Sequence, residues 1–207
     1  MATTPTYTAI TEGTGKKMAA STYTENSQVV LDQKVILGEP YEATYMATAA
    51  GVSLTTANAH LMEIMAGASL NVRIRRVEVG QIALATVAAA QLFQLVRLTS
   101  AGTGGGLTVA TPFDTADAAS GATAMTLPSV KGAEGGSLAF GTIFIVQTVG
   151  VSGSTTQPAL VWDFDQLRSK PIILAAGTTN GIAIRTPNAG TAPASVFINV
   201  FFTETSY

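Results

Sequence analysis

From about Tyr41 onward, apolar residues recur in short runs, some alternating with polar residues and some continuous. Clusters of Gly, Pro, Ser, Thr and Asn separate the runs, and a 3.6-residue repeat is hard to find. Period-two alternation and short bounded apolar runs are the signature of β-strands. The pattern predicts strands over residues 42–48, 59–65, 72–81, 91–99, 107–110, 139–149, 159–164, 172–174, 181–185 and 195–203. Residues 56–66 (TANAHLMEIMA) also fit an amphipathic helix with Leu61 and Met65 on one side. A strand is preferred there because Gly67 and Ser69 follow at once. Many short strands with few helices predict an all-β fold, a sandwich, jelly roll or barrel.

Two of these strands carry more detail. In Val72-Arg73-Ile74-Arg75-Arg76-Val77-Glu78-Val79 the alternation slips by one position, so Val77 and Val79 fall on the arginine face. A one-residue slip turns every later side chain to the other face. A β-bulge at Arg75-Arg76 restores the phase; a strand crossing a sandwich corner is the other solution. In the last strand, Val196, Ile198, Val200 and Phe202 line one face, and Phe197 and Phe201 line the other around Asn199. A sandwich strand ordinarily keeps one polar face. The second apolar face therefore predicts a cover, either a second subunit or the N-terminal arm folded over it.

Residues 1–40 differ from the rest. They are rich in Thr, Ser, Gly and Lys, with Val29-Val30-Leu31 and Val35-Ile36-Leu37 as their only apolar clusters. They predict an extended N-terminal arm with about two short extended pieces, and residues 41–207 predict the sandwich domain. An arm of this kind docks on a neighbouring subunit; a frayed terminus is the alternative. The expected interface residues are Phe197, Asn199 and Phe201 on the last strand and Val29, Val30, Leu31, Val35, Ile36 and Leu37 in the arm.

Composition sharpens the picture. The 207 residues suit one domain plus an arm. Charged residues are 12% of the chain, about half the usual share, while apolar residues are 47%. Few charges remain to keep a free monomer soluble, which points to burial in an assembly or to a surface of Ala, Thr, Ser and Gly. There is no cysteine, so disulfides and thiolate metal sites are excluded. The net charge of −2 and the lack of a basic stripe argue against nucleic acid as a partner. No apolar run is long enough to span a membrane as a helix, and Met1 to Ile10 has neither the basic nor the apolar region of a secretory signal.

The candidate chemistry is sparse. His60 is the single histidine, and no Ser sits in a G-x-S-x-G setting. A catalytic triad or a histidine-based zinc site needs more than this, so His60 is read as structural or solvent-facing. Asp163 and Asp165 flank Phe164 and would share one strand face. A calcium site or an acid pair for glycoside chemistry is the sharp reading; a charged strand end is the plain one, since no third carboxylate lies nearby. Asp114, Thr115 and Asp117 read as a turn whose Asx side chains bond their own backbone. The Gly-rich 102–106 lacks the Gly-Lys-Ser/Thr of a phosphate loop. Arg73, Arg75, Arg76, Arg97, Arg168 and Arg185 are each expected to have a carboxylate or carbonyl partner. No enzyme activity and no cofactor are expected.

The segments RIRRVEVGQ, QLFQLVRLTSAGTGGG, TPFDTADAASGATAMTLP, KGAEGG, WDF, KPIILAAGTTNGIAIR and SVFINVFFTET span about two thirds of the chain. Together they resemble a loose group of tailed-phage and phage-derived virion structural proteins, in strand order and turn texture and without a catalytic motif. The resemblance implies a jelly-roll-like antiparallel β-sandwich on the outer surface of a phage particle: a head decoration (cement) protein, a head fibre or a tail accessory. It transfers no site residue. The leading expectation is a capsid decoration subunit that forms a homotrimer and bridges the major capsid protein. The alternative is a tail or fibre module recognising a host surface ligand, with Trp162, Tyr41 and Tyr45 as aromatic candidates.

Overall fold

The computed structural model describes strand backbone at residues 6–12, 16–25 and 28–33, and residues 42–83, 89–145, 159–165, 171–189 and 195–205. The chain divides into two compact units, Met1–Tyr41 and Glu42–Tyr207. In the first, β1 (Thr6–Glu12), β2 (Lys16–Glu25) and β3 (Gln28–Gln33) form an antiparallel sheet in that order. This differs from an extended arm with two short pieces. Thr-rich alternation, as in TYTAITE and KKMAASTYTE, reads as an arm because it is poor in apolar residues. Yet β-branched Thr suits a pleated ladder, and pairing satisfies the backbone polar groups without a large core. Val29, Val30 and Leu31 lie on β3 opposite Thr24, Tyr23 and Thr22. Val35, Ile36 and Leu37 fall outside the described residues.

The second unit is an all-β sandwich. Its strands are β4 (Thr44–Ser53), β5 (Ala59–Met65), β6 (Asn71–Ala83), β7 (Ala89–Leu98), β8 (Gly106–Thr108), β9 (Thr111–Pro112), β10 (Thr123–Thr126), β11 (Glu134–Ile145), β12 (Leu160–Asp163), β13 (Ile172–Leu174), β14 (Gly181–Thr186) and β15 (Ser195–Thr205). One sheet runs β11-β7-β14-β5-β10-β8; the other runs β12-β6-β15-β4-β9, with β13 also paired to β6. All pairings are antiparallel. Four of them nest like one long hairpin folded over: β4 with β15, β5 with β14, β6 with β12 and β7 with β11. Residues 56–66 are not helical; β5 occupies their second half. The two-residue β9 and the short β10 escape sequence reading, because Thr-Pro and Thr-Ala-Met-Thr carry little apolar pattern.

The inner faces of the two sheets make the core. Val72, Ile74, Val77 and Val79 of β6 and Val196, Ile198, Val200 and Phe202 of β15 are all fully buried. Met62, Ile64, Phe93, Leu95, Ile182 and Ile184 meet them from the facing sheet. Burying each such side chain stabilises the fold by about 1.5–3 kcal/mol. Val72 and Ile74 before it and Val77 and Val79 after it all reach the core because the strand carries the expected bulge. Phe201 lies opposite Arg76 and Phe202 opposite Ile74, so Arg75 is the extra residue. A second bulge, in β5, sets Ile184 opposite Met62 and Arg185 opposite His60, leaving Leu61 extra. Leu61 and Met62 then both face the core, and His60 turns to the outer face that Glu63 also occupies.

Candidate functional site

The outer face of β15 is the surface singled out by its apolar residues. Phe197, Asn199 and Phe201 are each partly buried there, and the sandwich itself provides part of the cover. Phe197 lies flat over Gly80, where an added Cβ would come within 2.2 Å of the ring; a glycine at that position is what lets the ring lie down. Phe201 has Met46 and Arg76 as its strand neighbours. It meets Phe113 edge to face, with ring centroids 6.1 Å apart. Asn199 donates to Glu78 at 3.2 Å. The face is a mosaic of aromatic rings and paired polar groups.

Exposed large apolar side chains occur at both ends of the sheets, and Ile82, Leu127, Val130, Leu138 and Ile173 are exposed as well. At one end, residues 107–113 cross from β8, the last strand of one sheet, to β9, the last strand of the other. Leu107 is 79% exposed, Val109 83% and Phe113 60% on this crossing. Beside it lies a groove of about 220 Å³, walled by alanines, Leu107, Val109, Thr108, Ser120 and Thr123 and without a charged side chain. At the opposite end β11 and β12 adjoin. Leu160 packs over Gly141, and the Trp162 indole N–H donates to the Phe140 carbonyl at 3.3 Å. There Phe140 is 60% exposed and Val161 41%.

No family model, curated protein or solved structure matches this chain. The candidate sites therefore stand on their own geometry.

His60 is fully buried and anchors a charged cluster. Its Nδ1 lies 2.6 Å from Glu63 Oε1 and its Nε2 2.9 Å from Glu134 Oε1. The ring lies between the two carboxylates, with one nitrogen toward each. Glu63 also accepts the backbone N–H groups of Gly102 (2.7 Å) and Gly132 (2.9 Å). Arg185 reaches Glu134 at 2.7 Å and Lys131 reaches it at 3.2 Å. The cluster thus pins the 99–106 and 128–134 loops onto the outer face of the β5 sheet. Thr103 and Val130 bridge the two loops. His60 was legible as structural; its partners were not, because Glu63 needs the Leu61 bulge and Glu134 lies 74 residues away.

Burial pushes the Glu63 carboxyl up, but the hydrogen bonds from His60, Gly132 and Gly102 outweigh it and hold the group below its usual range. Burial also opposes ionisation of Glu134; the His60 and Lys131 hydrogen bonds and the Arg185 and Lys131 charges bring it down to about 2. Both carboxyls are depressed in the fold, so the unfolded chain takes up protons first on acidification. Their contribution is complete above about pH 4.5 and is lost as pH falls toward 2. Melting temperature followed from pH 6 to pH 2 is expected to drop chiefly below pH 4.5, and Glu134→Gln is expected to flatten that drop. A profile of unchanged slope in the variant would remove Glu134 from the account.

The remaining candidates resolve into structural pairs. Asp163 ends β12 and accepts the N–H of Asp165 at 2.9 Å, and Asp165 pairs with Arg75 at 2.5 Å. Glu42 bridges Arg73, Arg75 and Thr203. Arg76 pairs with Glu78, and Arg97 donates to the Ile173 carbonyl; Arg168 lies outside the described residues. Asp114 accepts the N–H of Ala116, the expected Asx turn. Among the described residues no three His, Cys, Asp or Glu side chains gather as metal ligands. Trp162 and Tyr45 are core residues, at 9% and 3% exposure; Tyr41 lies outside the described residues.

Proposed function

We propose that the protein is a structural subunit of a phage particle, a capsid decoration protein that associates with its own copies and bridges capsid proteins. The observation that carries this reading is the clustering of exposed Leu107, Val109, Phe113, Phe140 and Val161 at two ends of one sandwich in a chain with 12% charged residues. Single exposed apolar residues are ordinary. Clusters of them mark contact surfaces.

The nested pairing of β4 with β15, β5 with β14, β6 with β12 and β7 with β11 supports the reading. A jelly roll would nest its strands in such pairs, and viral capsid and lectin domains use that architecture, although architecture alone does not set function. The glycan-recognition alternative finds less support, since Trp162 and Tyr45 are spent in the core.

The mechanism is mechanical. Each contact buries apolar surface at roughly 25 cal/mol per Å², and repetition over a symmetric shell turns weak contacts into strong attachment. Three copies around one axis form a closed homotrimer, and the unit Met1–Tyr41 reaches the capsid protein. The test is redecoration of stripped particles with the full chain and with a chain lacking residues 1–41. The truncated chain is expected to keep its sandwich melting transition and lose particle occupancy. Equal occupancy would exclude the arm as the bridge; no occupancy by the full chain would exclude the whole reading.

A further inference from the structure

We propose that the 99–106 and 127–133 segments form one two-stranded strap over the β5 sheet, and that acid releases the strap as a unit while the sandwich beneath stays folded.

Sheet order lays the strap down. Residues 99–106 lead from β7 to β8, and residues 127–133 lead from β10 to β11. β11 and β7 stand on one side of β14 and β5, and β10 and β8 on the other, so both segments cross the same outer face. They are bonded to each other along their length. Thr103 and Val130 exchange backbone hydrogen bonds at 2.9 and 3.1 Å, the Thr99 N–H donates to the Ala133 carbonyl at 2.8 Å, and the Ala133 N–H donates to Ser100 Oγ at 3.0 Å. The backbones also touch. A Cβ added at Gly132 would collide with the Ser100 carbonyl oxygen, and one at Gly102 with that of Val130. Segments so joined open as one cooperative unit.

The attachment of the strap to the sheet is different in kind, because it runs through carboxylates. Glu63, 1% exposed on β5, accepts the N–H of Gly102 from one segment on Oε2 and that of Gly132 from the other on Oε1. Glu134, where the strap joins β11, meets His60 of β5 and Arg185 of β14. Lys131 of the strap pairs with the same carboxylate, and Arg97 of β7 is turned to the Ile173 carbonyl. At the other end the Leu127 N–H donates to the Leu61 carbonyl at 3.2 Å. Leu127 has a φ of 44° and precedes Pro128. A positive φ is costly for leucine, and a residue before proline favours extended backbone. This end is therefore held under strain that opening relieves.

Protonation cuts the attachment and spares the rest. A protonated Glu63 turns one of its oxygens into a donor facing other donors. Both carboxyls lie below their ordinary range while the strap is closed, and return to it in water once the strap opens. Opening therefore takes up protons: the closed form is favoured above the ordinary carboxylate range and loses that advantage as pH falls through it. The backbone ladders and the apolar core of the sandwich carry no such dependence.

The test is hydrogen exchange of the full-length protein at pH 6 and pH 3, each amide being compared with an unstructured peptide at the same pH. Protection at Gly102, Gly132 and Leu127 is expected to fall together by at least tenfold, and Val77 and Val200 in the β6–β15 ladder to remain at least a hundredfold better protected than any of the three. The Leu127 bond involves no carboxylate, so its loss reports release of the strap rather than the loss of Glu63 as an acceptor. Glu63→Gln carries the shape of the protonated group at every pH, and is expected to show weak protection of these amides already at pH 6. Should that variant fail to fold, Glu134→Gln at the foot of the strap is expected to shrink the change between the two pH values. Protection that persists at pH 3, a Leu127 amide that keeps its protection while the glycines lose theirs, core amides that exchange as fast as the strap, or a variant with the wild-type profile overturns the inference.

Discussion

Phe202→Ala is expected to cost about 3–5 kcal/mol of folding stability, the range for removing a buried phenylalanine ring. Phe202 is fully buried and stacks on Tyr45 with ring centroids 5.5 Å apart. It sits where β15 pairs with both β4 and β6, and next to the Arg75 bulge that turns Ile74 and Val77 inward together. No neighbour is placed to refill the volume, because both flanking strands are held in register on either side. Urea titration of the variant measures the loss directly. Phe201→Ala, one residue away on the outer face, is expected to cost markedly less, since its ring is partly solvated. Equal losses would mean that the outer face is packed as tightly as the core.

Glu63→Ala is expected to have an effect of similar size, about 3–5 kcal/mol, because removing a buried carboxylate strands the several donors that point at it. Here the stranded groups are the His60 ring nitrogen and the N–H groups of Gly102 and Gly132. An unpaired buried donor carries its full desolvation cost. The damage should be local as well as global: amide exchange at Gly102 and Gly132 is expected to rise to that of exposed loops. A double-mutant cycle with Glu134→Ala separates the shared part, which is expected to couple by about 0.5–3 kcal/mol through His60. Unaltered exchange at both glycines would show that the loops are held by their mutual Thr103–Val130 bridge alone.

The strand pattern was legible to a useful degree. β5 and β13 fall on the residues that alternation and turn signals mark, and the bulge in β6 follows from one slipped phase in VRIRRVEV. The expected inward face of β15 is the buried face. The three-stranded pairing of the N-terminal unit was not legible, because Thr-rich alternation carries too little apolar signal to be told from an extended arm. β9 and β10 were invisible for the same reason: they are ladder additions of a few residues, β9 held by β4 and β10 between β5 and β8.

The apolar residues that stand exposed were the hardest to place. Leu107, Val109 and Phe140 occur in sequence as ordinary strand residues; nothing local distinguishes a valine in a core from a valine at a sheet end. Their position depends on which strand ends each sheet, and strand order is a property of the whole winding.

The amino-acid sequence alone determined the class of the fold, most of its main strands, the two opposed faces of β15 and the slipped phase of β6 for which a bulge at Arg75-Arg76 is one solution. These follow from side-chain period and β propensity, which act over a few residues. Tertiary structure alone decided that His60 would sit between Glu63 and Glu134, that Phe197 would rest on Gly80, and that a small apolar groove and an exposed ring would stand at opposite ends of the sandwich. Those outcomes need residues tens of positions apart to meet, and the meeting is set by sheet order and packing, for which no short stretch of sequence carries a periodic signal.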